Sequence, residues 1–220
     1  MSICAERDDR MAVFTSSLLI EGRRGLERAG IAVQARSMSL RYLAVRNAFT
    51  AEECDRIITL AESAEGEPGP VYGHGGYRVD RSQRDVRTTL HTRDSPKAWL
   101  FDRLDALFAK ASGEFSLPVG PIGEPVQILR YDVGSHFATW HTDAGVDAHD
   151  TRRISMSIEL SDRERYEGGE LEVVPDLIGS LRTLPRGSAQ LFPSRALHRV
   201  TPVTRGRRWA LVAWTGAPPG

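Results

Sequence analysis

The second half of the chain is a series of short β-like runs, and this feature restricts its fold more than any other. Eight such runs follow one another from about residue 124, separated by glycine, proline and aspartate. They read PVQILRYDV, HFATWH, RRISMSIEL, GELEVV, SLRTL, SAQLFP, LHRVTPV and RRWALVAW. Many short strands with turn residues between them predict an antiparallel sandwich or a small barrel, and a jelly roll fits best.

Two helices are predicted before these strands. Thr50 and Glu53 form a capping-box pattern, and the apolar spacing after it predicts a helix over about 51–64. A second helix begins at Ser95 and Pro96, repeats apolar residues three and four positions apart, and is expected to be ended by Gly113 and Pro118. The predicted fold class is therefore mainly β with packing helices, in which N-terminal helices cover one face of the jelly roll.

Length and composition limit the possible organisation and partners. The 220 residues fit one domain, which we place at 41–220 with its jelly-roll core at about 124–216, after an N-terminal extension at 1–40. A formal net charge of zero, with no basic stripe or broad apolar segment, argues against nucleic acid and membrane partners. Two cysteines without metal or redox spacing, and an N-terminus unlike a signal peptide, predict a cytoplasmic protein.

One predicted strand ends in TWHTDAGVD, residues 139–147, which contains His141 and Asp143. Alternate side chains of a strand leave the same face, so these two could bind a metal together. The DAG sequence also suits a simple turn. A barrel brings a later strand close to this pair, and His198 is the strongest candidate for a third ligand. Taken alone, His198 suits a core or turn histidine equally well.

Two imidazoles and one carboxylate on one side of a metal form the facial triad of non-haem iron(II) oxygenases. Soon after His198, the arginines 205, 207 and 208 crowd the start of the apolar strand WALVAW. A guanidinium in an apolar barrel is costly unless it meets an anion, and a co-substrate carboxylate would meet that need. Strand alternation places Arg207 and Arg208 on opposite faces, but both faces are apolar enough to pack, so periodicity alone does not choose between them.

These motifs together resemble the 2-oxoglutarate and iron(II)-dependent dioxygenases of the prolyl 4-hydroxylase type, over about residues 125–215. ILRYDVGSHFATWHTD is similar to that family's tyrosine, glycine and HxD segment, YEGGEL to its glycine turn, and LFPSRALHRVTPVTRGRRWALVAW to its distal histidine segment. The last is most similar to bacterial prolyl or lysyl hydroxylase-like members. HxD alone is a weak signal, but HxD, GGEL and HxxxPVxxGxR in this order are specific.

The resemblance implies a double-stranded β-helix, which is the jelly roll already predicted, and a set of site residues. The implied iron(II) ligands are His141, Asp143 and His198. Arg208 would hold the distal carboxylate of 2-oxoglutarate, with Arg207 as the alternative, and Tyr131 would contact this co-substrate. The implied reaction consumes O2 and 2-oxoglutarate, releases succinate and CO2, and hydroxylates an aliphatic C–H bond. An aspartate in the triad favours hydroxylation, because halogenating members carry glycine or alanine there.

Other interpretations stay open at this point. The chain could be a catalytically idle regulatory module that binds iron or 2-oxoglutarate, although the intact triad and its arginine stand against this. It could also be a cupin-like metal barrel with other chemistry. Tyr131 equally suits a barrel aromatic, and Ser155 and Ser157 are either secondary contacts in the cavity or ordinary sheet serines. Trp140, opposite in phase to His141, is expected in the core.

The substrate is predicted from the polar loops at 72–92 and 144–153, because loops at a barrel mouth carry specificity. Several charged residues there could bind a substrate carboxylate or amine: Arg84, Arg87, Arg152, Arg153, Asp147 and Asp150. We therefore expect a small-molecule or peptidyl substrate, namely an amino acid, a peptidyl residue or a small amino-acid-like metabolite.

Overall fold

A computed structural model describes residues 11–15, 41–73, 76–145, 151–174 and 184–219. The helices are α1 Ala51–Glu62 and α2 Ala98–Phe115, and single-turn 3-10 helices lie at Ser95–Lys97 and Arg163–Arg165. The strands are β1 Met11–Thr15, β2 Arg41–Val45, β3 Glu67–Pro68, β4 Val71–Gly73, β5 Gly76–Arg78, β6 Arg84–Asp85, β7 Arg87–His91, β8 Val126–Tyr131, β9 His136–His141, β10 Arg152–Glu159, β11 Tyr166–Gly168, β12 Leu171–Val173, β13 Ala189–Pro193, β14 His198–Val200, β15 Val203–Gly206 and β16 Arg208–Gly216.

Two antiparallel sheets enclose the interior of the barrel. The large sheet has eight strands in the order β1-β2-β13-β10-β16-β8-β7-β3, and the small sheet has four in the order β12-β14-β9-β6. Two further strand pairs, β11-β15 and β4-β5, lie beside them. This is the jelly roll that the short β-like runs predict. The run SLRTL is the exception, because all but its last residue lie outside the described residues.

Both helices pack on one face of the large sheet. Apolar side chains of α1 and α2 form one buried cluster with residues of β8, β10, β13 and β16. The capping box of α1 is present, since the Thr50 hydroxyl accepts from the Glu53 backbone while the Glu53 carboxylate accepts from the Thr50 backbone. The apolar contacts between the two helices and the large sheet form the core behind the sheet.

Helix α2 ends between Gly113 and Pro118, the two residues that are expected to end it. The helix passes through Gly113 and ends at Phe115, where Ser116 adopts a left-handed conformation with a φ of 49°. Glycine costs about 1 kcal/mol in a helix, but Phe115 is only 1% exposed and continues the apolar face of α2. Burial of that ring outweighs the glycine.

The N-terminal region contributes one described strand. Met11–Thr15 pairs antiparallel with Arg41–Val45 along all five residues, at the edge of the large sheet. The rest of the predicted extension at 1–40 lies outside the described residues. Within the described part of the chain, no helix combines the length and apolar character that crossing a membrane requires.

Candidate active site

A cavity of about 200 Å³ lies between the large and small sheets. Strand β16 shows why it forms here: Arg208, Ala210, Val212 and Trp214 line the cavity, whereas Trp209, Leu211 and Ala213 belong to the core beneath the helices. In the sequence, side-chain alternation leaves both Arg207 and Arg208 possible. The position of β16 in the sheet decides between them. Arg208 faces the cavity and is 2% exposed.

Arg207 lies outside this cavity. Its side chain is 51% exposed, and its Nε donates to Asp132 at 2.7 Å. Arg205 is also exposed and pairs with Glu167 at 2.8 Å. Of the three arginines at the start of the last strand, the structure brings only Arg208 to the cavity.

Three candidate metal ligands meet on the opposite wall. His141 ends β9 and is paired in register with His198 at the start of β14, while Asp143 follows two residues after His141. One ligand atom from each of the three lies within 4.8 Å of the others. Among the described residues this is the one such group of three, and His136, at the other end of β9, is not part of it.

The backbone orients both histidine rings. Nδ1 of His141 lies 2.9 Å from the carbonyl oxygen of Thr139, and Nδ1 of His198 lies 3.0 Å from that of Ala196. A carbonyl oxygen can only accept, so each Nδ1 carries a proton and Nε2 is the ring nitrogen left to bind a metal. Burial and the neighbouring His198 lower the pKa of His141 to about 4, so this ring is neutral at physiological pH.

Asp143 is held as a carboxylate by its surroundings. Burial alone would raise its pKa, but His198, His141 and hydrogen bonds from Trp214 and Ser155 together keep the pKa below its ordinary value. The Ser155 hydroxyl lies 2.7 Å from Oδ2 of Asp143. Two imidazoles and one ionised carboxylate fit iron(II), and a hydrogen bond behind each ligand is typical of built metal sites.

The sequence did not reveal the partner of Arg208. Its Nε donates to Oε2 of Glu159 at 2.9 Å, and Glu159 is 1% exposed. Burial alone would lower the pKa of Arg208, but Glu159 opposes this and keeps the pKa above its ordinary value. Gly169, with a φ of +62°, packs close behind, because a Cβ there would lie 3.0 Å from Cδ of Arg208. The glycine turn thus makes room for the arginine.

Tyr131 and Ser155 also belong to the cavity. Tyr131 is paired in register with Arg208, and the guanidinium carbon lies 5.3 Å from the centre of its ring. Ser155, for which the sequence favours neither role, contacts Asp143, and Ser157 lines the cavity. Trp140 is not in the core: it is 41% exposed, and the guanidinium carbon of Arg199 lies 4.7 Å from the centre of its ring, so among the described residues this side of β9 is not buried under an apolar layer.

The structure separates the four arginines of the predicted specificity loops. Arg84 and Arg152 line the cavity. Arg87 donates to the carbonyl of Gly66 and Arg153 to that of Pro118, and both are exposed. Asp147 and Asp150 lie outside the described residues.

Comparison with known proteins identifies the family to which this chain is related. Residues 126–216 match the model of the 2OG-Fe(II) oxygenase superfamily. The chain is 34% identical over 181 residues to the PKHD-type hydroxylase PiuC of Pseudomonas aeruginosa, covering 76% of this chain and 74% of that protein.

Solved structures share the fold. A prolyl-4-hydroxylase of Pseudomonas putida has a TM-score of 0.64 at 16% identity, covering 81% of this chain and 93% of that one. A prolyl hydroxylase of Trichoplax adhaerens, in complex with a peptide fragment of hypoxia inducible factor, has a TM-score of 0.64 at 18% identity, covering 80% and 83%.

The chain belongs to the 2OG-Fe(II) oxygenase superfamily, and PKHD-type hydroxylases are among its relatives. It is a 2-oxoglutarate-dependent hydroxylase that uses iron(II) and O2.

Proposed function

We propose that His141, Asp143 and His198 bind the iron, and that Arg208 and Tyr131 hold 2-oxoglutarate. The observation that carries this assignment is the convergence of the three ligand atoms within 4.8 Å, on the wall of a cavity that also contains the buried Arg208. Bound iron(II) supplies open coordination positions for the co-substrate and O2.

Each protein group has a defined task in this assignment. The carbonyls of Thr139 and Ala196 keep the two histidines in the tautomer that binds a metal through Nε2. Glu159 engages Nε of Arg208, so the terminal Nη groups remain to pair with a carboxylate. The Tyr131 hydroxyl, beside that guanidinium, is a second donor for the same anion.

The substrate that we propose is an amino acid, a peptidyl residue or a small amino-acid-like metabolite, hydroxylated at an aliphatic carbon. A cavity of about 200 Å³, which is lined mainly by apolar side chains and also contains the charged Arg84 and Arg152, supports a small or extended substrate. The likeness to a prolyl hydroxylase bound to a peptide fragment also supports it.

We further propose that residues 41–220 form one domain after an extension at 1–40. A cytoplasmic location is supported by Cys54, a buried free thiol.

The test is turnover of a substrate panel by the iron(II)-loaded full chain, with 2-oxoglutarate under labelled dioxygen. The panel contains free amino acids, short peptides, methylated oligonucleotides and fatty acyl compounds. We expect succinate release and one labelled oxygen in a product of the amino-acid class. Selective turnover of oligonucleotides or lipids would overturn the substrate class. Failure of chelators to stop succinate release would overturn the iron assignment.

A further inference from the structure

Arg84 is a buried cation for which the described part of the chain supplies no carboxylate partner. It lies on β6, lines the cavity and is 9% exposed. Nη1 donates to the carbonyl of Pro70 at 2.8 Å and Nη2 to Oε1 of Gln127 at 3.0 Å, while Nε has no hydrogen-bond partner. No carboxylate of the described residues forms an ion pair with it. Two of its five N–H groups are therefore used.

The other cavity-lining arginines are treated differently. Three arginines line the cavity in the part of the chain that the structure describes. Arg208 donates to Glu159 at 2.9 Å, and Nε of Arg152 donates to Glu124 at 2.8 Å. Arg84 instead meets the neutral amide of Gln127, although a glutamate of nearly the same shape would have neutralised it. The cavity thus keeps one positive charge at this position.

Keeping that charge carries a cost. Burial lowers the pKa of Arg84, and Tyr131 and Asp143 oppose this only in part. A buried ion without a counter-ion destabilises a protein unless a ligand supplies the opposite charge. Gly69 also makes room for it, since a Cβ there would lie 2.8 Å from Nε of Arg84. Local structure holds the guanidinium in place and leaves its charge for a ligand.

The position of Arg84 is on the metal side of the cavity. Arg84 is paired in register with Phe137, and its guanidinium carbon lies 5.0 Å from the centre of that ring. The same ring stacks on His141 with centroids 3.6 Å apart. Pro70, which Arg84 contacts, leads into the β4-β5 strand pair whose Val71 also lines the cavity. An anion bound here lies between the metal ligands and this strand pair.

We propose that Arg84 binds a carboxylate of the primary substrate, and thereby selects acids whose aliphatic carbon then faces the metal site. This inference rests on the proposed function, in which one carboxylate of 2-oxoglutarate pairs with Arg208; the other would occupy an open coordination position of the iron(II) held by His141, Asp143 and His198. Both anionic groups of the co-substrate then have partners. The charge of Arg84 is left for the molecule that is hydroxylated.

The experiment compares two matched pools. One contains aliphatic amino acids and dipeptides with a free C-terminal carboxylate, and the other contains their carboxamides. The full chain is loaded with iron(II) and 2-oxoglutarate without O2, and binding is measured from the shift in melting temperature at increasing concentrations. We expect the acids to bind at least about tenfold more tightly than the carboxamides, because a buried charge pair contributes at least that much.

Three variants locate the effect. Gln127→Glu supplies an internal carboxylate to Arg84 and should abolish the preference for acids without removing the arginine. Arg84→Gln should abolish it too. The matched control is Arg153→Gln, since Arg153 is exposed and donates to Pro118, and this variant should keep the full preference. Gln127→Glu keeps the test valid if Arg84→Gln does not fold, because the new carboxylate satisfies a buried cation.

Several results would overturn the inference. Equal binding of acids and carboxamides, or binding of neither, excludes a carboxylate site. An undiminished preference in Gln127→Glu excludes Arg84 as its origin. A rise in the apparent 2-oxoglutarate constant for substrate-independent succinate release in Arg84→Gln, with acid preference intact, would make Arg84 a co-substrate ligand. Absence of iron-dependent succinate release from the wild-type chain would count against the proposed function, while the preference measured without O2 still decides the role of Arg84.

Discussion

The two faces of the large sheet use the same strands for different purposes. On the face toward the helices, β16 contributes Trp209, Leu211 and Ala213 to an apolar core. On the face toward the cavity, the same strand contributes Arg208 and Trp214, and β10 contributes Ser155. The helix face buries apolar side chains, whereas the cavity face buries, beside apolar side chains of its own, polar groups that each require a defined partner.

This difference separates stability from function along a single strand. Neighbouring residues such as Leu211 and Val212 point to opposite faces, so substitutions one position apart should have different consequences. A core substitution should lower the free energy of unfolding and spare ligand binding. A cavity substitution should do the reverse, and the predictions below test this from the largest effect to the smallest.

The largest effect is expected from Asp143→Ala, which removes the one carboxylate that the described residues contribute to the candidate iron site. Iron-dependent succinate release should fall to background while circular dichroism shows a folded protein. His136→Ala is the control, since His136 starts the same strand but is not part of that site. Substantial turnover by Asp143→Ala, or equal loss in the control, would contradict the assignment.

Arg208→Ala should raise the apparent constant for 2-oxoglutarate by about ten- to thousandfold, because losing a buried charge partner costs roughly 2–5 kcal/mol. Initial rates at varied co-substrate concentration measure this. Arg207→Ala should leave the constant unchanged, since Arg207 pairs with Asp132 at the surface. Combining Arg208→Ala with Glu159→Gln removes the stranded buried carboxylate and separates weak binding from lost stability.

Leu211→Ala should lower the free energy of unfolding by about 2–5 kcal/mol, because it opens a cavity in the core behind the sheet. Val212→Ala, on the half-buried cavity side, should cost about 1 kcal/mol. Urea unfolding measures both values, and 2-oxoglutarate affinity should stay unchanged in Leu211→Ala. Equal losses of stability would show that the two faces do not differ in this way.

The smallest effect is expected at the start of α1. Thr50→Ala removes the capping hydroxyl from the helix that packs on the apolar face, and should cost about 1 kcal/mol. Thr59→Ala in the same helix is the matched control, because Thr59 is exposed and its hydroxyl donates to the carbonyl of Asp55 within the helix; its cost should be below about 0.5 kcal/mol. A change in 2-oxoglutarate affinity in either variant would mean that the helix layer and the cavity are coupled.

The sequence predicts the features that depend on local periodicity and on motif order. The Thr50 cap, the jelly roll and the convergence of His141, Asp143 and His198 follow from such patterns, and each is present. The partner of Arg208 could not be predicted in this way, because Glu159 lies 49 residues earlier and meets it only through the register of β10 and β16.

The exposure of individual side chains also could not be predicted from periodicity. Trp140 has the phase of a core residue, but whether a second layer covers its side of β9 depends on the whole topology. Likewise, four loop arginines look alike in the sequence, and only packing shows that Arg84 is buried against Gln127 while Arg153 is exposed.

The helix layer protects the thiol of Cys54 from oxidation by the activated oxygen that this enzyme class produces. This residue of α1 is fully buried, and burial raises the pKa of its thiol to about 11. Oxidants attack the thiolate form, which is scarce at neutral pH for such a group. An enzyme that activates O2 can oxidise its own side chains when the activated oxygen does not react with a substrate. Because Cys54 lies behind the large sheet, we expect its thiol to remain reduced over many catalytic turnovers, under conditions that oxidise more exposed thiols.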